Sequence, residues 1–464
     1  MHKLILLAGM ALAPACAGVP FTITTEDVTA QFPGAPRVQS FSFGQWKGAW
    51  VFIGGRAAGY HSVGGGEAEF LRAQSNREVW VVDSNVTPAR VYCASLDKLP
   101  ESMMKVRDQL ASTAQMSFQD GETLYIGGGY GQDHTGNWKT YPILSVIHLP
   151  TLIEGVKKGG IPPQSIRYVE SPLVQSTGGE MQKLPDGHVY VVMGHNFNGS
   201  YTSFQGQGEQ NRAAVSQVYL DEIRKLKIGT AADGSPAVTL VEAFKHEREF
   251  HRRDLNVIRY MSPEGMGIAI YGGVFTQDQL NWTKPIYLPS GGKPQVGAFE
   301  QKMNTYACAT MLLYDSSNQA MYTTFFGGIS RHYYDEGRFL PHAKVGTKSD
   351  AIYLDGMQWS DQISTIRKTA TDTDEFVQAK TLPTFMGSDA VFIPARDVPR
   401  INGAAEIVDI AGMKTKRVMV GYIYGGIRAS PYRFPYTRTS QAYNSGTVPT
   451  KPSDLVLKVY LDVQ

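Results

Sequence analysis

Residues 124–136 read LYIGGGYGQDHTG, an apolar run that ends on three glycines and opens into a polar stretch. Apolar runs that end in glycine recur at WVFIGG (50–55), VYVVMG (189–194), AIYGG (269–273), YTTFFGG (322–328) and VGYIYGG (420–426), with Met193 replacing the first glycine of the third copy. Runs this short, bounded by turn residues, are typical of buried β-strands. Six copies spread over the chain predict a repeat architecture.

Each copy has similar neighbours. An apolar strand and a turn rich in Asp, Pro, Gly and Asn precede it, and two further strands follow it. The sixth copy takes IVDIAGMKT (407–415) as its preceding strand and turn, and SQVYLDEI (216–223) and SDAIYLDG (349–356) are predicted as the third strands of the third and fifth units. Four strands with generous loops fill units of the observed spacing.

The repeated strand–Gly-Gly signature, with aromatic residues on the neighbouring strands, resembles the kelch type of β-propeller. This resemblance covers nearly the whole chain after residue 18 and implies an all-β fold of six blades. In such a ring, the glycines permit close approach between neighbours and the positive φ needed to turn away. A phosphate loop is excluded because no helix pattern and no Lys-Ser/Thr pair follows GGGYG.

The two ends of the chain are predicted to close the ring. The sixth unit has three strands and ends at LVLKVYLDVQ (455–464), whereas VPFTITTEDVTAQF (19–32) belongs to no other unit. The N-terminal strand therefore completes the last blade and removes two exposed edges. Residues 18–464 are therefore predicted to form a single six-bladed propeller.

Composition limits the classes of partner. Of 464 residues 48 are Gly, and Tyr, Phe and Trp number 24, 20 and 6, which suits an all-β protein with many turns. The formal net charge is +2, so no basic surface is expected for a nucleic acid. After the N-terminus no run approaches ~18 apolar residues, so no transmembrane span is predicted.

The first residues, MHKLILLAGMALAPACAG (1–18), are typical of an export signal over residues 1–17. Lys3 supplies the positive start, and the apolar segment 4–13 is too short to span a bilayer. Cys16 stands where a bacterial lipoprotein carries its lipid, so lipid anchoring and cleavage without a lipid remain alternatives. The predicted location is periplasmic, outer-membrane-associated or extracellular. Cys93 and Cys308 are predicted as two buried thiols, with a disulfide between them as the alternative.

The predicted binding face is set by loop length. First-to-second-strand turns are short and leave one face plain, whereas long loops follow the glycines on the other face. The candidate ligand-binding residues are Arg56, Tyr60, His61, Tyr130, His134, Trp138, His195, Tyr201, Trp282, His332, Tyr333, Arg428 and Tyr432. The loops that lead into the blades add Glu180 and His251–Asp254, and Glu180, His251, Arg252 and Arg331 are the candidate catalytic residues.

Three interpretations of these residues stay open. In the first, these residues are hydrogen-bonded and partly buried structural residues. In the second, they bind a sugar or a small acid, with the aromatic rings stacking on the ligand and arginine pairing bidentately with a carboxylate. In the third, the histidines bind a metal ion. The histidines lack close ligand spacing, so neither a metal nor a cofactor is predicted.

The sequence predicts an exported propeller that acts as a binding module, with a carbohydrate or an envelope protein as partner. Resemblance to exported kelch propellers that act on sialic acids implies an alternative, a carbohydrate epimerase or lyase using Arg, His and Glu at the same face.

Overall fold

The computed structural model describes residues 19–61, 69–201, 215–278, 280–342, 344–345, 354–355, 357–413, 416–430 and 449–463. Six antiparallel sheets follow one another around a central axis, and each carries its first strand innermost. The all-β, six-bladed prediction is therefore confirmed.

The blades have the following strands. Blade one contains Ser42–Trp46, Ala49–Ile53, Glu78–Asp83 and Arg90–Ser95; blade two contains Met116–Asp120, Thr123–Gly127, Ile143–His148 and Ile166–Glu170. Blade three contains Glu180–Lys183, Val189–Val192, Glu222–Thr230 and Pro236–Lys245; blade four contains Arg253–Ser262, Gly265–Val274, Ile286–Pro289 and Gln295–Val296. Blade five contains Ala309–Asp315, Ala320–Ser330, Gln358–Lys368 and Thr373–Val377; blade six contains Ser388–Pro394, Arg417–Ala429, Val456–Val463 and Phe21–Asp27.

The remaining elements lie in the connections. A small four-stranded sheet joins Tyr130–Gln132, Trp138–Thr140, His195–Asn198 and Ser216–Tyr219, from the loops of blades two and three. Hairpins pair His332–Asp335 with Arg338–Pro341, Lys344–Val345 with Leu354–Asp355, and Arg400–Ile401 with Ala404–Asp409, and Thr450–Pro452 pairs with the second strand of blade six. The α-helices are Met104–Leu110 and Leu149–Lys157; 3₁₀ turns occur at Thr29–Gln31, Arg72–Gln74, Leu96–Lys98, Glu101–Met103, Pro163–Ser165 and Pro172–Val174.

The glycine pairs join neighbouring blades. In all six blades both residues of the pair have positive φ, including Met193 at 55°. The second residue donates its backbone N–H to a carbonyl of the segment that leads into the next blade, over 2.8–2.9 Å in every case: Gly55 to Ser112, Gly129 to Ser176, Gly194 to Arg252, Gly273 to Thr305, Gly328 to Met386 and Gly426 to Val38. At Gly128 (φ +65°) a Cβ would lie 1.9 Å from the Ser176 oxygen, so this contact requires glycine.

The N-terminal strand closes the ring as predicted. Phe21–Asp27 pairs antiparallel with Val456–Val463, from Phe21 opposite Val463 to Asp27 opposite Leu457. Phe21 and Ile23 are buried in a core shared by blades five and six. This pairing satisfies the backbone N–H and C=O groups of a strand edge that would otherwise be exposed.

Three strand predictions are wrong. Ala404–Asp409, which contains the first three residues of the predicted strand and turn 407–415, belongs to a hairpin and pairs parallel with the inner strand of blade five, Leu312 opposite Ile407. The first strand of blade six is Ser388–Pro394 instead. Ser216–Tyr219 and Leu354–Asp355 belong to loop sheets rather than to blades three and five. Short alternating segments carry no information on which sheet they join.

The face with the short turns carries an additional hairpin that the sequence did not predict. In five blades the first and second strands are joined by short turns, but in blade six residues 395–416 intervene and carry the extra hairpin. Arg259 of blade four forms a bidentate ion pair with Glu406 of this hairpin and also donates to the Gly403 carbonyl. The hairpin therefore reaches across blade five at the rim of the channel.

The core lies between adjacent sheets. One cluster joins blades one and two with both helices, where Leu149, Leu152, Ile153 and Val156 are buried at helical spacing. Cys93 and Cys308 are both free thiols. Cys308 is buried as predicted, but the prediction is wrong for Cys93, which is exposed on the outer strand of blade one.

Candidate functional site

A ring of six backbone hydrogen bonds closes the central axis. Each blade contributes one residue just before or at the start of its inner strand, and its N–H donates to the equivalent carbonyl of the preceding blade. The bonds run from Ser40 to Asp389, Asp389 to Ala307, Ala307 to Asp254, Asp254 to Gly178, Gly178 to Ala114 and Ala114 to Ser40, over 2.7–3.4 Å. We call these six residues the axial ring. It separates a small pocket on the long-loop side from a wide channel on the short-turn side.

The residue after each glycine pair lies next to the axial ring. It pairs with the residue that precedes the ring residue of its own blade: Arg56 with Gln39, Tyr130 with Thr113, His195 with Thr177, Val274 with Arg253, Ile329 with Tyr306 and Ile427 with Ser388. The residue after the pair is polar in blades one to three and apolar in blades four to six. The pocket on the long-loop side, which we call the axial pocket, is therefore asymmetric.

Two arginines from opposite sides of the ring line the axial pocket. Arg253 of blade four pairs with Asp254 (Nη1 to Oδ2, 2.7 Å), and Nε donates to the Tyr219 hydroxyl at 3.2 Å. Arg56 of blade one pairs with Glu69 at 2.8 Å and lies 4.3 Å over the Phe70 ring. Arg56 is 3% exposed, and its Nε has no hydrogen-bond partner among the described residues. Burial lowers the pKa of Arg56 despite Glu69.

Two carboxyl groups stand on the axial ring and contact both cavities. Burial, reinforced by the charge of Asp254, raises the pKa of Asp389 to about 7, although hydrogen bonds from Ser388 and Ser40 and the charge of Arg56 oppose the rise. Burial also raises the pKa of Asp254, against the effects of Arg253 and of the Tyr306 hydroxyl. Asp389 can therefore exchange a proton near neutral pH.

Histidine and aromatic rings form the rest of the wall. Burial lowers the pKa of His195 well below its usual range, so its imidazole is neutral, and Nδ1 accepts from the Gln217 amide at 2.7 Å. Tyr130 donates its hydroxyl to the Gly199 carbonyl at 2.6 Å. The His61 ring lies 4.3 Å from Tyr60 and 4.6 Å from Tyr201, between centroids. All five rings line the axial pocket, and Tyr130 and His195 lie next to the axial ring.

The axial pocket is small. The space in which the centre of a water molecule can lie measures about 70 Å³. One water molecule needs roughly 10–15 Å³ of such space, so the pocket accepts a few waters or a group of the size of a carboxylate.

The structure brings together six of the predicted ligand-binding residues: Arg56, Tyr60, His61, Tyr130, His195 and Tyr201 line the axial pocket. The others that are described lie outside its lining. His134 pairs with Asp108, Trp138 donates to the Glu69 carbonyl, Trp282 lies under Arg252, His332 contacts the Lys302 carbonyl, Tyr333 packs on His342 and Arg428 pairs with Asp454. Tyr432 and Cys16 lie outside the described residues.

The four candidate catalytic residues do not meet. Glu180 lines the channel on the other side of the axial ring, and burial raises its pKa to about 8. His251 stacks on Tyr219 at 3.8 Å behind the pocket. Arg252 is 0% exposed, and its guanidinium donates to the carbonyls of Glu249, Gly272 and Lys284. Arg331 lies outside the pocket lining.

The sequence did not predict the most charged part of the pocket. The predicted catalytic and ligand-binding residues include neither Arg253 and Asp254, which lie on an entry loop, nor Asp389 and Tyr306. Each of the four is on the axial ring or directly precedes a ring residue. Their position in the repeat could have indicated them, because the residues that lead into each first strand occupy equivalent places in all six blades.

Fold and pocket together define a six-bladed β-propeller, a fold that supports a binding or enzymatic module. No family model and no curated protein matches the sequence. The chain is similar to the solved structure titled "Structure of YjhT", with a TM-score of 0.50 and 11% identity over 93% of this chain and 99% of that chain. At this identity the similarity shows the fold alone.

The described residues lack two further kinds of feature. No cluster of three or more His, Cys, Asp or Glu side chains in those residues could hold a metal ion. Within the same residues no helix is long and apolar enough to cross a bilayer.

Proposed function

We propose that this protein is an exported kelch-like propeller that binds a small acidic carbohydrate, such as a sialic or uronic acid, through the axial pocket. The observation that carries the proposal is the placement of Arg56 and Arg253 on opposite sides of one pocket. Guanidinium groups bind carboxylates bidentately, and partial burial strengthens the contact.

The size of the pocket supports a specific orientation of the ligand. Only the carboxylate end enters between the arginines, because the inner space accepts little more. The sugar ring then rests on the outer aromatic wall of Tyr60, His61 and Tyr201, where apolar ring faces stack on the C–H surface of the sugar.

Replacing Arg253 by lysine is expected to weaken binding of N-acetylneuraminic acid and glucuronic acid about tenfold. Lysine retains the charge beside Asp254 but loses the planar fork, and one charge-assisted hydrogen bond contributes about 1.5–3 kcal/mol. Isothermal titration calorimetry on the full chain measures the change.

Arg428→Lys is the matched control, because Arg428 pairs with Asp454 outside the pocket. Its affinity should equal that of the wild type. Equal binding of glucose and of the acids, or an unchanged affinity in Arg253→Lys, would contradict the proposal.

A second candidate, an epimerase or lyase for the same ligands, is favoured by Asp389. A carboxyl group with a pKa of about 7 beside a carboxylate-binding arginine has the properties of a general acid and base. In D₂O, ¹H NMR should then show solvent deuterium entering the carbon whose proton is removed. Asp389→Asn should abolish this exchange and retain binding, and absence of exchange in the wild type would leave the binding module alone.

Export and the envelope partner are proposals as well. A signal over residues 1–17, with Cys16 as the anchoring alternative, would place the protein in the periplasm, at the outer membrane or outside the cell. Mass spectrometry of the mature chain from a bacterial host tests this. Loss of about 17 residues supports a cleaved signal, a lipid mass on Cys16 supports anchoring, and an intact N-terminus contradicts export. An envelope protein bound at the same loops is the alternative partner.

A further inference from the structure

The channel on the short-turn side is a second cavity that the proposed function does not use. It has a volume of about 1110 Å³ and ends at the axial ring. Phe41, Phe43 and Phe118 line one side, and Phe392 lines blade six. The cavity therefore has phenylalanine rings on a wall that is otherwise mixed polar and apolar, and it has one closed end that carries carboxyl groups.

The closed end carries carboxyl groups without a basic partner. Glu180 and Asp389 line it and form no ion pair with any described residue, whereas Asp254 is paired with Arg253 from the pocket side. The charge of Arg56 acts on Asp389 from the pocket side, but the ion pair of Arg56 is with Glu69 and not with Asp389. Neither group has an ion-pair partner among the described residues, and Glu180 accepts hydrogen bonds only from the backbone of Ser117 and Met181.

The other charged residues on the channel wall are already matched. Lys183 pairs with Asp120, and Arg259 pairs with Glu406. Cys308 also faces the channel, and burial raises the pKa of its thiol to about 12, so it carries no charge. The unmatched groups are therefore confined to the end of the cavity.

We propose that the channel is a second binding site, for an organic cation whose ammonium head lies at Glu180 and Asp389 and whose apolar body lies along the phenylalanines. A positive head is attracted by carboxylates and by the faces of aromatic rings. A neutral molecule of the same shape would gain only the apolar contact.

Binding would be linked to proton release. Burial holds the pKa of Glu180 at about 8 and that of Asp389 at about 7, so both groups are partly protonated at neutral pH. A bound cation favours the charged carboxylates and lowers both pKa values. Affinity should therefore rise from pH 6 to pH 8 and level off above it, with protons released on binding at pH 7.

The test is calorimetric titration of the full chain with benzyltrimethylammonium and with benzyl alcohol as the neutral probe. We expect the cation to bind at least tenfold more tightly. At pH 7 its binding enthalpy should differ between phosphate and Tris buffers because protons are released. Glu180→Gln should weaken cation binding about tenfold, whereas Glu122→Gln, an exposed side chain on the same face outside the channel lining, should leave it unchanged.

Equal affinity for the two probes, no buffer dependence, or wild-type affinity in Glu180→Gln would overturn the proposal. The wild-type measurements decide it even if the variant folds poorly. Glu180→Gln should not affect binding of N-acetylneuraminic acid, so failure here is distinguishable from failure of the proposed function.

Discussion

Alanine at position 128 is expected to lower the free energy of unfolding by about 4 kcal/mol. The added Cβ would lie 1.9 Å from the carbonyl oxygen of Ser176, which accepts the hydrogen bond of Gly129 at 2.9 Å. Either blade two or blade three must move, and the hydrogen bond between them is lost.

Three terms make up this estimate. A non-glycine residue at positive φ costs about 1 kcal/mol or more. Relief of the overlap by a backbone shift costs about 1–3 kcal/mol, and a lost buried hydrogen bond costs about 1 kcal/mol. Met193, at φ 55°, shows that the backbone conformation alone is tolerated at the equivalent place in blade three.

Urea unfolding of Gly128→Ala and Gly121→Ala separates these terms. Gly121 also has positive φ (+56°), but a Cβ there would meet nothing within 4 Å. Replacing Gly121 by alanine should lower the free energy of unfolding by about 1 kcal/mol. Equal losses in the two variants would mean that contact between blades is not what requires glycine at position 128.

Asparagine at position 389 is expected to stabilise the protein by about 2 kcal/mol at pH 8 and by only about 0.7 kcal/mol at pH 5. Burial raises the pKa of Asp389 to about 7 in the folded chain, whereas an unfolded aspartate titrates near ~4. Between these values the folded chain holds more protons, so stability falls as pH rises and stops falling above about pH 7.

The expected size follows from the difference between the two pKa values. About three units correspond to roughly 4 kcal/mol, which we halve because the side chain contacts the open channel and is partly solvated. Asparagine resembles the protonated carboxyl group in shape but does not titrate. The replacement therefore removes this dependence of stability on pH.

Unfolding of the wild type, Asp389→Asn and Asp372→Asn in urea at pH 5, 6, 7 and 8 measures the effect. Asp372 is an exposed surface aspartate, and its variant should follow the wild type. Parallel curves for the wild type and Asp389→Asn, or a variant less stable at pH 8, would contradict the assignment of Asp389 as a buried acid of the axis.

The ring was predictable from the sequence because its signal repeats. Six apolar strands that end in a glycine pair indicate the same local backbone, and the unpaired strands at the two ends must meet if the edges are to be satisfied. The sixth first strand was not predictable in this way, because Ala404–Asp409 and Ser388–Pro394 both carry a short apolar run that is followed by a turn. Only the parallel pairing with blade five assigns that hairpin.

The candidate site was predictable where a residue lies directly beside the repeated element. Arg56, Tyr130 and His195 follow their glycines immediately, so backbone pairing brings them beside the axial ring. His332 and Arg428 lie farther along their strands and loops, where the path of the chain decides their neighbours.

The sequence by itself determined the number of blades, the role of the glycines and the closing strand, because these depend on local backbone conformation repeated at intervals. Tertiary structure alone decided that Asp254, Asp389 and Glu180 meet at the axis from blades four, six and three, and that Arg56 faces Arg253. Residues so far apart in the chain acquire shared burial and a common electric field only after the ring closes. Their charge states, and with them the chemistry of the site, belong to the assembled ring.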